Sequence, residues 1–89
     1  MIIKRTFEIS NTYGIHARPS ASFVKIASRF ESDIMVEYDG CAVNGKSILG
    51  LMILAAGPGD KIKVTADGKD AEEALEKLGE LIESGFNEK

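Results

Sequence analysis

Eighty-nine residues, 44% hydrophobic and 28% charged, describe a single domain over residues 1–89 with one core. A chain this short buries only about 60–65% of its unfolded surface on folding. The formal net charge of −3 argues against a general nucleic-acid binder, which needs a basic face for phosphate contacts.

The longest mainly apolar run, Ile48 to Ala56, contains Gly50 and falls far short of the ~20 residues that span a bilayer. Lys4, Arg5 and Glu8 break the N-terminal stretch, so it does not read as a signal peptide. The expectation is a cytoplasmic protein with no direct membrane insertion, working as a monomer. A single cysteine, Cys41, excludes an internal disulfide framework and reads as a small strand residue. With a single histidine, it also leaves too few soft ligands for a structural zinc site, so neither metal nor cofactor is expected. Acidic residues concentrate after Asp60, whereas Lys4, Arg5, Arg18, Lys25, Arg29 and Lys46 precede it, which leaves room for a locally positive site in the first half.

Ile2 to Ile9 alternates, with Ile3, Phe7 and Ile9 on one parity and Lys4, Thr6 and Glu8 on the other, the period of a half-buried strand. Asn11-Thr12-Tyr13-Gly14 reads as a turn. From His16 the period becomes helical: Phe23, Ile26, Ala27 and Phe30 share a face, with Ala17, Ser20 and Val24 beside them. Pro19 is tolerated only in a first helical turn, so the helix starts within two or three residues of His16.

Asp33 to Tyr38 alternates again, Asp39-Gly40 signals a hairpin, and Cys41 to Val43 is a short return strand. Ser47 is the expected N-cap of a short apolar helix from Ile48 to about Leu54, ended by Gly57-Pro58-Gly59-Asp60. A fourth strand follows, Lys61 to Ala66, with Ile62 and Val64 inward. Asp70-Ala71-Glu72-Glu73 resembles a capping box. It opens a helix whose stripe is Ala71, Ala74, Leu75, Leu78, Leu81 and Ile82, with Gly85 as its C-terminal cap. The order βαββαβα, with one apolar face per element, predicts an open-faced α+β sandwich. Its four-stranded antiparallel sheet would carry three helices on one face.

Chemistry concentrates in Gly14-Ile15-His16-Ala17-Arg18-Pro19. A glycine lets the chain turn sharply before the helix. Free backbone N–H groups at the helix start, among them that of Ala17, suit a phosphate. Arg18 adds a guanidinium whose planar fork matches phosphate oxygens. An imidazole, with an unperturbed pKa of about 6.5, is neutral often enough near pH 7 to act as a nucleophile. Together these residues could accept a phosphoryl group on His16. A lone histidine at a helix start also occurs simply as a capping or surface residue.

This segment, with Asn44-Gly45-Lys46-Ser47-Ile48-Leu49-Gly50-Leu51-Met52, resembles the histidine-containing phosphocarrier (HPr) family of the bacterial phosphoenolpyruvate-dependent phosphotransferase system. The resemblance covers essentially the whole chain. It implies an open-faced βαββαβα sandwich and a phosphoryl carrier in a relay, not an autonomous enzyme. Enzyme I, charged by phosphoenolpyruvate, would phosphorylate His16 on Nδ1 with Arg18 as counter-charge, and His16 would pass the group to IIA components for sugar uptake. The family also implies that Ser47 can be phosphorylated by an HPr kinase/phosphorylase, and that the product can address a transcriptional regulator. Independently, a short helix cannot bury every apolar residue, so Ile48, Leu49 and Met52 are expected to form an exposed docking patch, while Leu51 and Leu54 belong to the core.

Ser20 stands where the family commonly has Ala, and its hydroxyl is expected to hydrogen-bond locally. The tail Ile82-Glu83-Ser84-Gly85-Phe86 resembles the nitrogen-linked branch of the family, a regulatory phosphorelay, whereas Lys46-Ser47-Ile48 is closer to the sugar branch. Two alternatives therefore stand beside sugar uptake: a nitrogen-branch carrier, and a non-catalytic regulator acting through Ser47. A ligand or nucleic-acid domain ranks last, because 7% aromatic content supplies no stacking platform.

Overall fold

The computed structural model describes residues 1–88. In chain order the elements are β1 (Ile2–Glu8), α1 (Ala17–Ala27), β2 (Asp33–Tyr38), β3 (Cys41–Asn44), α2 (Ile48–Leu54), β4 (Lys61–Asp67) and α3 (Ala71–Glu83). The four strands form one antiparallel sheet in the order β1-β4-β2-β3. β4, last in sequence, is thus inserted between β1 and β2.

Its register explains the alternation. Val36 stands opposite Val64 and Ile34 opposite Ala66, so the apolar sets of both central strands face one side and are fully buried. β1 lies at an edge, and its Ile3 and Phe7 are only half-buried. α3 covers β1 and β4 with the expected stripe, every member of which is buried. Fully burying a side chain such as Leu75, Leu78 or Ile82 contributes about 1.5–3 kcal/mol. Gly79 makes the approach to β1 possible, since a Cβ there would come within 2.8 Å of the Phe7 ring.

α1 and α2 pack against each other in opposite directions. At one end the Lys46 ammonium donates to the Phe30 carbonyl just past α1 (2.8 Å). At the other the Ile15 N–H, just before α1, donates to the Ala56 carbonyl just past α2 (3.0 Å). The hairpin between β2 and β3 turns on Asp39 and Gly40, both at positive φ (52° and 80°), as a tight two-residue loop requires.

Three local expectations change. Asp70 precedes α3 but its carboxylate does not cap it; it accepts from the N–H groups of Glu31 and Ser32 and from the Ser32 hydroxyl, tying the approach to β2. A carboxylate with three converging donors nearby leaves its own helix uncapped, because those donors hold it in the opposite direction. α2 ends before the Gly-Pro-Gly turn, on Ala55 in the left-handed region (φ 55°). β1 stops at Glu8, and Ile9 instead donates to the Asp60 carbonyl while remaining wholly buried. Gly85 does end α3: its N–H reaches the Ile82 carbonyl and that of Phe86 reaches Leu81, the paired bonds of a Schellman cap.

Candidate functional site

The site begins with a glycine at which any side chain would be both strained and crowded. Gly14 sits at φ +66°, and a Cβ on it would lie 2.3 Å from the Ala56 carbonyl oxygen and 2.7 Å from the Gly57 Cα. This close approach lets Ile15, buried, bond to Ala56 and sets the angle at which the chain enters α1. His16 is then the N-cap, in extended conformation (φ −93°, ψ −167°), and its carbonyl accepts the first intrahelical bond from Ser20 (3.0 Å).

The imidazole makes no capping bond to the helix and is 40% exposed. Ala17 and Arg18 occupy the first helical positions, ahead of any intrahelical partner for their N–H groups, and Pro19 behind them has none to offer. Two amides and the positive end of the helix dipole therefore face the solvent beside the ring. Arg18 is exposed and enters no ion pair among the described residues. His16, Arg18, Thr12, Tyr13 and Glu88 line one cavity of about 330 Å³, with the Tyr13 ring edge-on to the imidazole at 6.1 Å between centroids. His16, Ala17 and Arg18 thus lie together at the start of α1.

Two residues around the histidine, one bonded to its ring and one bonded to that partner, were not legible in the sequence. The Nε2 of His16 lies 3.1 Å from the Glu88 carboxylate. Asn11, buried, donates from Nδ2 to the same carboxylate (3.0 Å) and to the Gly14 carbonyl (2.7 Å). Burial works to raise the Glu88 pKa, but hydrogen bonds from Asn11 and His16, and the charges of His16 and Arg18, outweigh it and hold the carboxyl below its usual value. Asn11 carries a turn signal and nothing more, and Glu88 follows a predicted cap without any pattern that says where it goes. Ser20 departs from expectation: its side chain is wholly buried on the face it shares with Phe23, and its hydroxyl has no partner among the described residues. It faces the core and takes no part in the site.

Ser47 is the N-cap of α2, accepting the Gly50 N–H at 3.0 Å. α2 has 7 residues, so Ser47 stands about 10 Å from the end of the helix that abuts the His16 segment. Along it Ile48, Leu49 and Met52 are exposed (42%, 72% and 39%), and Leu51 and Leu54 are buried. Ile53, which sequence reading passed over, is 71% exposed and enlarges the patch. It sits four residues after Leu49, one turn along the same face.

A family description, "PTS HPr component phosphorylation site", matches residues 3–84. A phosphocarrier protein HPr of Neisseria meningitidis serogroup A is 45% identical over 87 residues, 98% of each chain. The HPr-like protein Crh of Bacillus subtilis is 44% identical over 82 residues, 92% of this chain and 96% of its own. The crystal structure of HPr-C-His from Thermoanaerobacter tengcongensis superposes with a TM-score of 0.93 at 49% identity, covering 98% of each chain. Fold and length agree with these relatives, and the chain belongs to the HPr family of phosphocarriers of the phosphotransferase system.

Proposed function

We propose that the protein carries a phosphoryl group on Nδ1 of His16, taken from Enzyme I and handed to IIA components of sugar permeases in the cytoplasm. The observation that supports this reading best is the pairing of a half-exposed imidazole with a helix start that offers two amides and a guanidinium in no ion pair among the described residues. Phosphoryl transfer passes through a loose transition state, so a carrier needs positioning and charge compensation more than covalent help. The Nδ1 lone pair attacks phosphorus as the donor's bond to phosphorus breaks, and the donor atom keeps that bond's electron pair. The Ala17 and Arg18 amides and the Arg18 side chain balance the charge on the phosphoryl oxygens. Onward transfer reverses the same steps toward the next nucleophile.

The exposed face of α2, Ile48, Leu49, Met52 and Ile53, gives partners an apolar surface close to the ring. A kinase-added phosphate on Ser47 would sit at a helix N-terminus, where the dipole favours it, leaving the fold intact. It would bring about two negative charges to the edge of that surface and so oppose docking without touching His16. The similarity to Crh, described as the Bacillus subtilis catabolite repression HPr, supports a second reading, a regulator, for which Ser47 would be the site here. His16 and its surroundings favour the carrier.

Incubation with Enzyme I and phosphoenolpyruvate tests the proposal. Wild-type protein is expected to gain one acid-labile phosphoryl group, and His16→Ala none. Wild-type protein that stays unmodified, while Enzyme I itself is charged, refutes it.

A further inference from the structure

We infer that Glu88 is a positioning residue for phosphoryl transfer: it holds the Nε2 proton of His16, and Asn11 holds Glu88. The inference rests on His16 being the acceptor and deepens that reading. Both carboxylate oxygens lie 3.1 Å from Nε2. An ionised carboxylate can only accept, so the ring nitrogen facing it must carry the proton. A neutral imidazole has one N–H, and placing it on Nε2 leaves the lone pair on Nδ1.

The contact is built into the fold. After the Gly85 cap, Phe86 and Asn87 also adopt the left-handed region (φ 57° and 59°), an uncommon state for residues with side chains. Phe86 is 4% exposed, and its burial stabilises the turn that brings Glu88 back across the molecule. There the carboxylate meets Asn11, which is 1% exposed and also bonded to Gly14, the glycine that sets the His16 segment. One buried amide thus positions both the backbone before the histidine and the carboxylate behind its ring.

The transfer needs no proton movement in this arrangement. As the Nδ1–P bond forms and the donor's bond to phosphorus breaks, with its electron pair kept by the donor, the ring becomes cationic and keeps its Nε2 proton. Glu88 then faces an N–H on a positive ring, a charge-assisted bond stronger than the one before transfer. When phosphorus leaves, its bonding pair on the ring side returns to Nδ1 and the neutral tautomer is restored. The carboxylate and the phosphoryl group occupy different edges of the ring.

Ring-selective nitrogen NMR of the unphosphorylated protein at alkaline pH, with single-turnover loading by Enzyme I, tests the inference on wild type, Glu88→Gln and Glu88→Ala. Wild type is expected to show only the Nε2–H form, and Glu88→Ala a measurable share of Nδ1–H and roughly tenfold slower loading. Glu88→Gln, whose amide oxygen can still accept from Nε2, is expected to restore the single tautomer and most of the rate. This rescue separates positioning from a mere loosening of the tail. A wild-type ring of mixed tautomers that is still phosphorylated on His16 overturns the role of Glu88 alone, as does Glu88→Ala indistinguishable from wild type in both readouts. A wild-type ring in the single form that accepts no phosphoryl group overturns the carrier reading, and with it any role of Glu88 in transfer.

Discussion

Replacing Gly14 by alanine separates two demands that usually coincide at a glycine. Gly14 and Gly40 both have positive φ (66° and 80°), but only Gly14 is crowded: its Cβ would meet Ala56 oxygen at 2.3 Å, while nothing lies within 4 Å of one on Gly40. The left-handed backbone alone costs an L-residue about 1–2 kcal/mol, so Gly40→Ala is expected to lose that much. At Gly14 the obstructing atoms belong to backbone and cannot rotate away, so residues 14–15 must part from Ala56 and forfeit the Ile15 bond, about 0.5–1.5 kcal/mol more. With repacking of Ile15 the total reaches about 2–4 kcal/mol. At about 4–8 °C per kcal/mol for a domain of this size, Gly14→Ala lowers Tm by roughly 8–32 °C and Gly40→Ala by roughly 4–16 °C. Urea and thermal unfolding followed by far-UV circular dichroism measure both. Equal losses at the two positions would refute the close-approach reasoning, and with it the stated reason for the angle at which His16 is presented.

Ser47→Ala removes the hydroxyl that accepts from Gly50 and is expected to lose about 1 kcal/mol in urea unfolding, whereas Ser47→Asp keeps an acceptor and the fold. Ser47→Asp should nonetheless slow loading by Enzyme I, and unchanged loading kinetics would remove the docking role of α2. Leu49→Ser, at a residue 72% exposed, should weaken partner binding in titration calorimetry and leave stability within about 0.5 kcal/mol. Leu51→Ala, at a residue 1% exposed, should instead destabilise by about 2–5 kcal/mol. The Asp70 carboxyl is held below its ordinary value by the Ser32 hydroxyl first, then by the Glu31 and Ser32 amides, against opposing burial. Its unfolded form therefore binds a proton at higher pH than the folded form. The stabilisation is complete above the unfolded value of 3.8 and is lost as pH falls through the lower folded one. Asp70→Asn should flatten that acid limb of stability against pH, and an unaltered slope would contradict the assignment.

Much of the fold could be read from the chain because its signals are local. Alternation in Asp33 to Tyr38 and Lys61 to Ala66, the stripe of α3 and the position of Pro19 each require only neighbouring residues. Hence His16 at a helix start, Ser47 as a cap and the buried Leu51 and Leu54 were all accessible to periodicity and capping rules. The Asp70 pattern misled because its side chain answers donors 38 and 39 residues away, which outcompete a cap within reach. Asn11 and Glu88 lie 77 residues apart and meet only because Phe86 is buried and the tail doubles back. No spacing rule encodes such a contact. Ser20 shows a subtler gap: its face was legible, but not the lack of a partner on that face.

Phosphorus and nitrogen NMR of protein charged by Enzyme I tests the relay at its reacting atom. The expected spectrum has one phosphoramidate signal, coupled to Nδ1 of His16, which decays when a IIA domain is added. Phosphorus on Nε2, on another residue, or stranded on His16 in the presence of an active IIA domain would contradict it.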